Sequence, residues 1–331
     1  MLKLTLLLLS PLLISFCIVL FFISNEKNLR KRVLFTLRLH PELGLMKQGL
    51  FWLSIITPIL YFLTTGYLAW NGREVLLTAA GFNNFIEISI LPVTLLSLSL
   101  PLSILVSRLH ATEQTAEQIK ITTYKNNIDT YRSHRQDLFS YFEQIGEVNY
   151  LSTINIKFKA HPRLYKNFFN GKPEHGLPIP NKDLFEYVRS NLQTARFGID
   201  ATLSSGNLNT AIDFYLNASS AIFRIAECLG VPEVYNDLAE KGVLVPVKIK
   251  EQPDLKSVLT AGTTTTEIVA AFRVLKSFYK NLCDFAGVDS NVIPPEHMKY
   301  IDSGMKYLTI NDFPIIEQLQ NRMIKDLIKT E

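Results

Sequence analysis

The sequence predicts a mainly α protein: N-terminal transmembrane helices continue into a long cytoplasmic helix and then a mostly helical soluble domain with few short strands. Two observations lead there. Three long apolar runs, Leu4 to Ser24, Leu50 to Trp70 and Ile88 to Ser107, fill the first third of the chain and contain no charged residue; each is close to the roughly 20 residues a helix needs to cross a bilayer core. The remainder carries helical periodicity interrupted by only brief alternating stretches. The resulting division is a transmembrane region over 1–110, with helices at about 4–24, 50–70 and 88–107, a coiled-coil-like helix over 111–148, and a mostly helical domain over 149–331.

The first run exceeds the roughly 7–15 apolar residues of a secretory signal and meets Asn25, Glu26 and Lys27 in place of a small-residue cleavage site, so a retained spanning helix is expected. The segment after it carries Lys27, Arg30, Lys31, Arg32, Arg38 and Lys47 against Glu26 and Glu42. The segment 71–87 has Arg73 against Glu74 and Glu87. Basic loops stay in the cytoplasm. That rule places the N-terminus outside, 25–49 inside, 71–87 outside and everything after Arg108 inside. Trp52 and Trp70 suit interfacial anchors, and the apolar outer stretch Val75 to Ile86 suits the membrane surface. Pro11, Pro58, Pro92 and Pro101 mark kink sites. Ser89, Ser97, Ser99 and Ser103 are positioned to hydrogen-bond across helices and support an oligomer.

Charge is unevenly distributed. Residues 1–110 hold nine Lys and Arg against four Asp and Glu, of 34 and 30 in the whole chain, which leaves 25 and 26 for residues 111–331. The soluble part is therefore about neutral and lacks the basic balance of a nucleic-acid binder, while the excess beside the membrane attracts anionic headgroups. Cys17, Cys228 and Cys283 show no paired spacing for zinc or redox exchange and read as small apolar fillers.

From Leu102 to Ile145 there is neither proline nor glycine, so the third spanning helix is expected to run on as one rod ending at Gly146. Ile121, Tyr124, Ile128, Tyr131, Arg135, Leu138, Phe142 and Ile145 recur in steps of three and four, a seam that wants a helical partner. Self-association and packing within one domain both satisfy it. Beyond it, Ile154, Ile156 and Phe158 alternate with polar residues as a strand does, and Asn170 to Pro180 is a loop by its glycines and prolines. Helices follow at about 181–203, 207–229 and 264–286, the last opened by a capping box of Thr264 and Glu267. Val243 to Lys250 reads as one strand, Val288 to Pro295 as a loop, and about 314–329 as a final helix.

Phosphate loop, dinucleotide fingerprint, zinc-protease motif and nucleophile elbow are all missing from the sequence. His161, beside Pro162, and His175, in the glycine-proline loop, are acid–base candidates without a matched partner. The Asn217-Ala218-Ser219 triplet falls in a segment read as cytoplasmic, where glycosylation does not occur. His134 on a membrane-proximal helix has the setting of a phospho-accepting histidine, but no nucleotide-binding signature follows it.

Asn127, Tyr131, His134 and Leu138 share one helical stripe, with Arg135 and Phe139 beside it. Together with Gln114-Thr115-Ala116-Glu117-Gln118-Ile119 before them, and Leu164, Tyr165 and Phe168 after them, they resemble the motif of bacterial antiphage membrane proteins, closest to the transmembrane effectors encoded beside retrons. The likeness covers roughly residues 88–170. It departs in one respect: such effectors are expected to carry two spanning helices, and three apolar runs are present here. The resemblance implies a non-enzymatic effector without cofactor, held by a retron reverse transcriptase and its RNA–DNA product, that acts on inner-membrane lipids; the seam and the serines of the third run add self-association into a homo-oligomer as an expectation of their own. On the residues alone, Asn127, His134 and Arg135 instead tie the long helix to the segment after Gly146. A membrane-tethered sensor or scaffold is the alternative class. A transporter or channel subunit is weaker, because the apolar runs offer no ionisable group.

Overall fold

The computed structural model describes residues 2–23, 28–247, 256–304 and 321–322. The chain is mainly α, with six short strands among the described residues. Its contacts divide it into two units, Met1–Lys125 and Asn126–Glu331.

In the first unit, α1 (Leu2–Ile23) and α3 (Gly49–Trp70) pack together, with the short α2 (Leu29–Leu37) between them in sequence. Polar side chains tie the apolar pair: Thr57 donates to Ser15 Oγ at 2.8 Å, and the Tyr61 hydroxyl donates to the Leu8 carbonyl at 2.8 Å. Helix α2 was not foreseen inside the basic loop; Asn28 caps it by accepting the Arg30 N–H. Gln48 is buried and bonds to both the N–H and the carbonyl of His40, folding the loop back on itself.

α4 (Ala79–Ser97) starts well before Ile88, capped by Thr78, which accepts the Gly81 N–H. The loop between α3 and α4 thus shrinks to 71–78, and Phe82, Phe85 and Ile86 stand on a helix. Asn83, Asn84 and Glu87 dilute the apolar signal there without breaking the helix. At Leu98 the helical hydrogen-bond ladder is interrupted before α5 (Ser99–Ile145), although the backbone stays in the right-handed helical region; Pro101 has no N–H to reach the Ser97 carbonyl. α3 and the stretch Ala79–Ile145 are long and apolar enough to cross a membrane, while α1 contributes a shorter apolar stretch, Leu7–Ile23. Little of the two candidate spans is buried, unlike the core helix of a soluble domain. Of the four serines, Ser89 makes the cross-helix bond, accepting Trp70 Nε1–H at 2.9 Å, whereas Ser97 and Ser103 donate to carbonyls of their own helix. Trp52 donates to the Met46 carbonyl.

In the second unit, α7 (Lys182–Ser204), α8 (Leu208–Leu229) and α11 (Thr265–Ala286) form the core. α11 is buried nearly all round, including Ile268, Phe272, Leu275 and Phe278. The capping box is present: Thr264 accepts the Glu267 N–H and the Glu267 carboxylate accepts the Thr264 N–H. Leu138 and Phe142 of α5 enter this core, Phe142 with its ring 4.5 Å from that of Phe278. The antiparallel hairpin of β1 (Glu147–Tyr150) and β2 (Ile154–Lys157) packs on α11, burying Ile154 and Ile156. Next come α6 (Pro162–Phe168) and the two-residue strands β3 (Phe169–Asn170) and β4 (Ile179–Pro180), which pair across the glycine-proline loop.

After α8, α9 (Pro232–Tyr235) and α10 (Asp237–Lys241) lead to β5 (Leu244–Val247), which pairs with β6 (Lys256–Leu259), a strand the sequence did not announce. α12 (Lys299–Asp302) closes the described domain. The helix expected at 314–329 lies outside the described residues except for 321–322. Cys283 is buried and Cys228 half-buried, with burial pushing both thiols up to about 11, which suits inert fillers.

Candidate functional site

α6 is short but well specified. Pro162 suits a first helical position, and His161 precedes it as cap, its Nδ1 accepting the Arg163 N–H at 3.2 Å. The helix turns Leu164, Tyr165 and Phe168 inward, all buried. Phe168 meets Phe185 edge-on at 5.0 Å, and Tyr165 faces α5.

There Tyr165 donates its hydroxyl proton to the Tyr131 carbonyl at 3.3 Å, and its oxygen lies 3.1 Å from His134 Nδ1. With the phenol proton already committed, the imidazole must donate, so the consistent assignment is a neutral His134 protonated on Nδ1. Burial lowers the His134 pKa below its ordinary value and pushes Tyr165 up to about 12, so both stay neutral near pH 7. Aromatic rings enclose the imidazole: Phe285 at 5.0 Å, Phe169 at 5.1 Å and Tyr165 at 5.6 Å.

Seven residues, about two turns, before His134 on α5, Asn127 Nδ2 donates to the Glu174 carbonyl at 2.8 Å. Gly176 permits that approach: its φ is +83°, and a side chain there would begin 3.1 Å from Asn127 Oδ1. Arg135 lies over the Phe139 ring at 5.7 Å.

Of the nine motif residues, Asn127, His134 and Tyr165 form one clasp joining α5 to α6 and the β3–β4 loop; Arg135 and Phe139 contact each other on α5, and Leu164 and Phe168 are buried beneath α6. Gln114 makes a different attachment, donating to the Pro41 carbonyl at 3.2 Å. Gln118 is exposed. Phe169, Phe285 and the Glu174 carbonyl complete the clasp and were not foreseen, since an aromatic residue of α11 has no sequence relation to α5.

His161 serves as a helix cap, and His175 sits exposed in a single 3-10 turn, so neither has an acid–base partner among the described residues. The seam along α5 divides: Leu138 and Phe142 are buried, whereas Ile121 and Tyr124 are more than half exposed. The buried half is taken up by its own domain. Among the described residues no group of three His, Cys, Asp or Glu side chains is placed to hold a metal ion. Chemically the clasp holds; its two titratable partners are neutral and locked by packing.

No protein family, curated protein or solved structure matches this chain.

Proposed function

We propose that the chain is a non-enzymatic effector of a bacterial retron defence system, which disrupts the inner membrane and kills the infected cell when released from its reverse transcriptase complex. In this reading it is a multi-pass inner-membrane protein with a periplasmic N-terminus and a cytoplasmic C-terminal domain. The observation that carries the proposal is the continuity of α5: it prolongs an apolar helix of spanning length and, without proline or glycine after Leu102, reaches the clasp formed by Asn127, His134 and Tyr165 of the motif. The polar ties of Ser15 and Leu8 to α3 favour α1 as a third crossing segment.

Two experiments test this. Expressed without its regulator, the full chain should depolarise the inner membrane and admit an excluded dye before nucleic acid or nucleotide pools fall; death with an intact membrane potential rejects the mechanism. Reporter fusions after residues 35 and 115 should read cytoplasmic and one after residue 75 periplasmic, and a periplasmic signal at 115 rejects the orientation.

A further inference from the structure

A second feature of the C-terminal unit stands apart from the clasp and does not depend on the membrane reading. On the outer side of α6, where Tyr165 and Phe168 do not point, lies a cleft of about 490 Å³. It is lined from three directions, by His161, Arg163 and Asn167 of the α6 segment, by Tyr187 of α7, and by Arg224, Glu227 and the α8 terminus leading to Tyr235. The volume falls in the range of small-molecule sites, roughly 300–1,000 Å³.

Its chemistry is specific. Arg163 and Arg224 approach from helices far apart in sequence, and among the described residues neither guanidinium makes an ion pair. Among the described residues Glu227 is the one carboxylate on the wall, so their lining keeps a positive balance. A planar guanidinium presents a fork matched to phosphate or carboxylate oxygens. His161 accepts a bond on Nδ1, which leaves Nε2–H as a further donor. Tyr187 and Tyr235 add aromatic surface to a wall otherwise polar. The floor is kept open by Gly230, where any side chain would begin 2.8 Å from His161 Cβ.

We infer that this cleft binds a phosphomonoester carrying a flat ring, of about mononucleotide size: two arginines and a histidine take the phosphate, and a tyrosine takes the ring by stacking. It is a binding site and not a reaction centre: the cysteine on its wall is held protonated by burial, and its histidine, with Nδ1 engaged as the α6 cap, offers a ligand only the Nε2–H donor.

The test uses the full chain in detergent micelles at low salt, titrated calorimetrically with adenosine monophosphate, inorganic phosphate and adenosine. The monophosphate should bind saturably and more tightly than either of the others. Arg224→Gln and Arg163→Gln should each weaken it at least tenfold, and Arg224→Lys, which keeps charge but loses the fork, should fall between. Both arginines are exposed, and an unchanged circular dichroism melting profile in each variant confirms that the fold is intact. Three outcomes overturn the inference: no saturable binding of the monophosphate, equal binding of adenosine, or equal binding by the wild type and both glutamine variants. Binding of inorganic phosphate at least as tight as that of the monophosphate overturns the ring-bearing ligand.

Discussion

His134 Nδ1 stands 3.1 Å from the Tyr165 hydroxyl, and that hydroxyl is itself committed to the Tyr131 carbonyl. Both α5 residues therefore bond to one phenol from a seven-residue helix. Removing the hydroxyl strands a half-buried imidazole N–H, while the Tyr131 carbonyl, inside α5, keeps its helical bond; removing the imidazole also empties the space between Phe169 and Phe285.

Tyr165→Phe should accordingly cost about 1–3 kcal/mol, the penalty of leaving a buried polar group unsatisfied, and His134→Ala should cost more because packing is lost as well. Chemical denaturation of the C-terminal unit within the full chain ranks the two; an equal or reversed order would show that the ring contacts contribute little.

The clasp should also loosen in acid. The His134 pKa is lowered in the fold because burial penalises its charged form. The unfolded chain therefore takes up a proton near its ordinary value of about 6.5 while the folded chain does not. Stability then rises with pH wherever the unfolded state holds more protons, so it is fully present above about 6.5 and falls as pH drops from there toward the lowered value. His134→Gln should flatten the part of the profile just below about pH 6.5; an unchanged slope would assign the acid sensitivity to other groups.

The two halves of the α5 seam should behave differently. Leu138 is fully buried and Ile121 is 60% exposed. Leu138→Ala should cost about 2–5 kcal/mol, and Leu138→Asp should abolish the domain's cooperative unfolding. Ile121→Asp should leave the melting midpoint within about a degree or two, since surface substitutions away from such features stay within about 0.5 kcal/mol. Loss of killing in Ile121→Asp with the fold intact would assign the exposed half to contact between copies.

Legibility in the sequence followed the physics of each signal. The three core helices were readable within a residue or so because amphipathic period and caps are local: Thr264 and Glu267 are three residues apart, and Gly230 stops α8 where the apolar pattern ends. The start of α4 was misjudged because the run was begun after Glu87, while Asn83, Asn84 and Glu87 lie inside the helix that Thr78 caps. Strand β6 has no alternation strong enough to announce it. His134 and Tyr165 were picked out, but not Phe285, since tertiary neighbours on separate helices leave no spacing to read. The cleft escaped for the same reason: Arg163 and Arg224 look like ordinary solvated charges until the fold sets them on one wall.

Charges inside the domain were equally hidden. Arg196 grips Asp302 through Nε at 2.9 Å and Nη2 at 2.7 Å, Lys276 adds a contact at 2.5 Å, and the Arg196 and Asp302 side chains are only 3% and 4% exposed. Arg273 fastens the same segment by donating to the carbonyls of Tyr300, Ile301 and Gly304. Asp302→Ala should lose about 3–5 kcal/mol, because it leaves buried cations uncompensated. The double change Arg196→Met with Asp302→Leu should lose less than Asp302→Ala alone, since it removes the buried guanidinium along with its carboxylate. A double variant weaker than the single one would show that the pair itself stabilises the fold.

Two glycines allow a backbone penalty to be separated from a contact. Gly230 ends α8 with φ +70° and Gly287 ends α11 with φ +64°. An alanine at either must adopt the left-handed conformation, which costs about 1–2 kcal/mol. At Gly287 no described residue lies within 4 Å of the added carbon, so Gly287→Ala should cost that much and no more. At Gly230 the carbon would stand 2.8 Å from His161 Cβ, so Gly230→Ala carries the same penalty and must also push His161 aside, releasing the cap that Nδ1 provides to α6. Its midpoint should drop further than that of Gly287→Ala, and hydrogen exchange should quicken at Arg163, whose N–H loses its acceptor. Equal losses in the two variants, with Arg163 exchange unchanged, would mean that α6 and its cap tolerate the displacement and that Gly230 is needed only for its backbone angle.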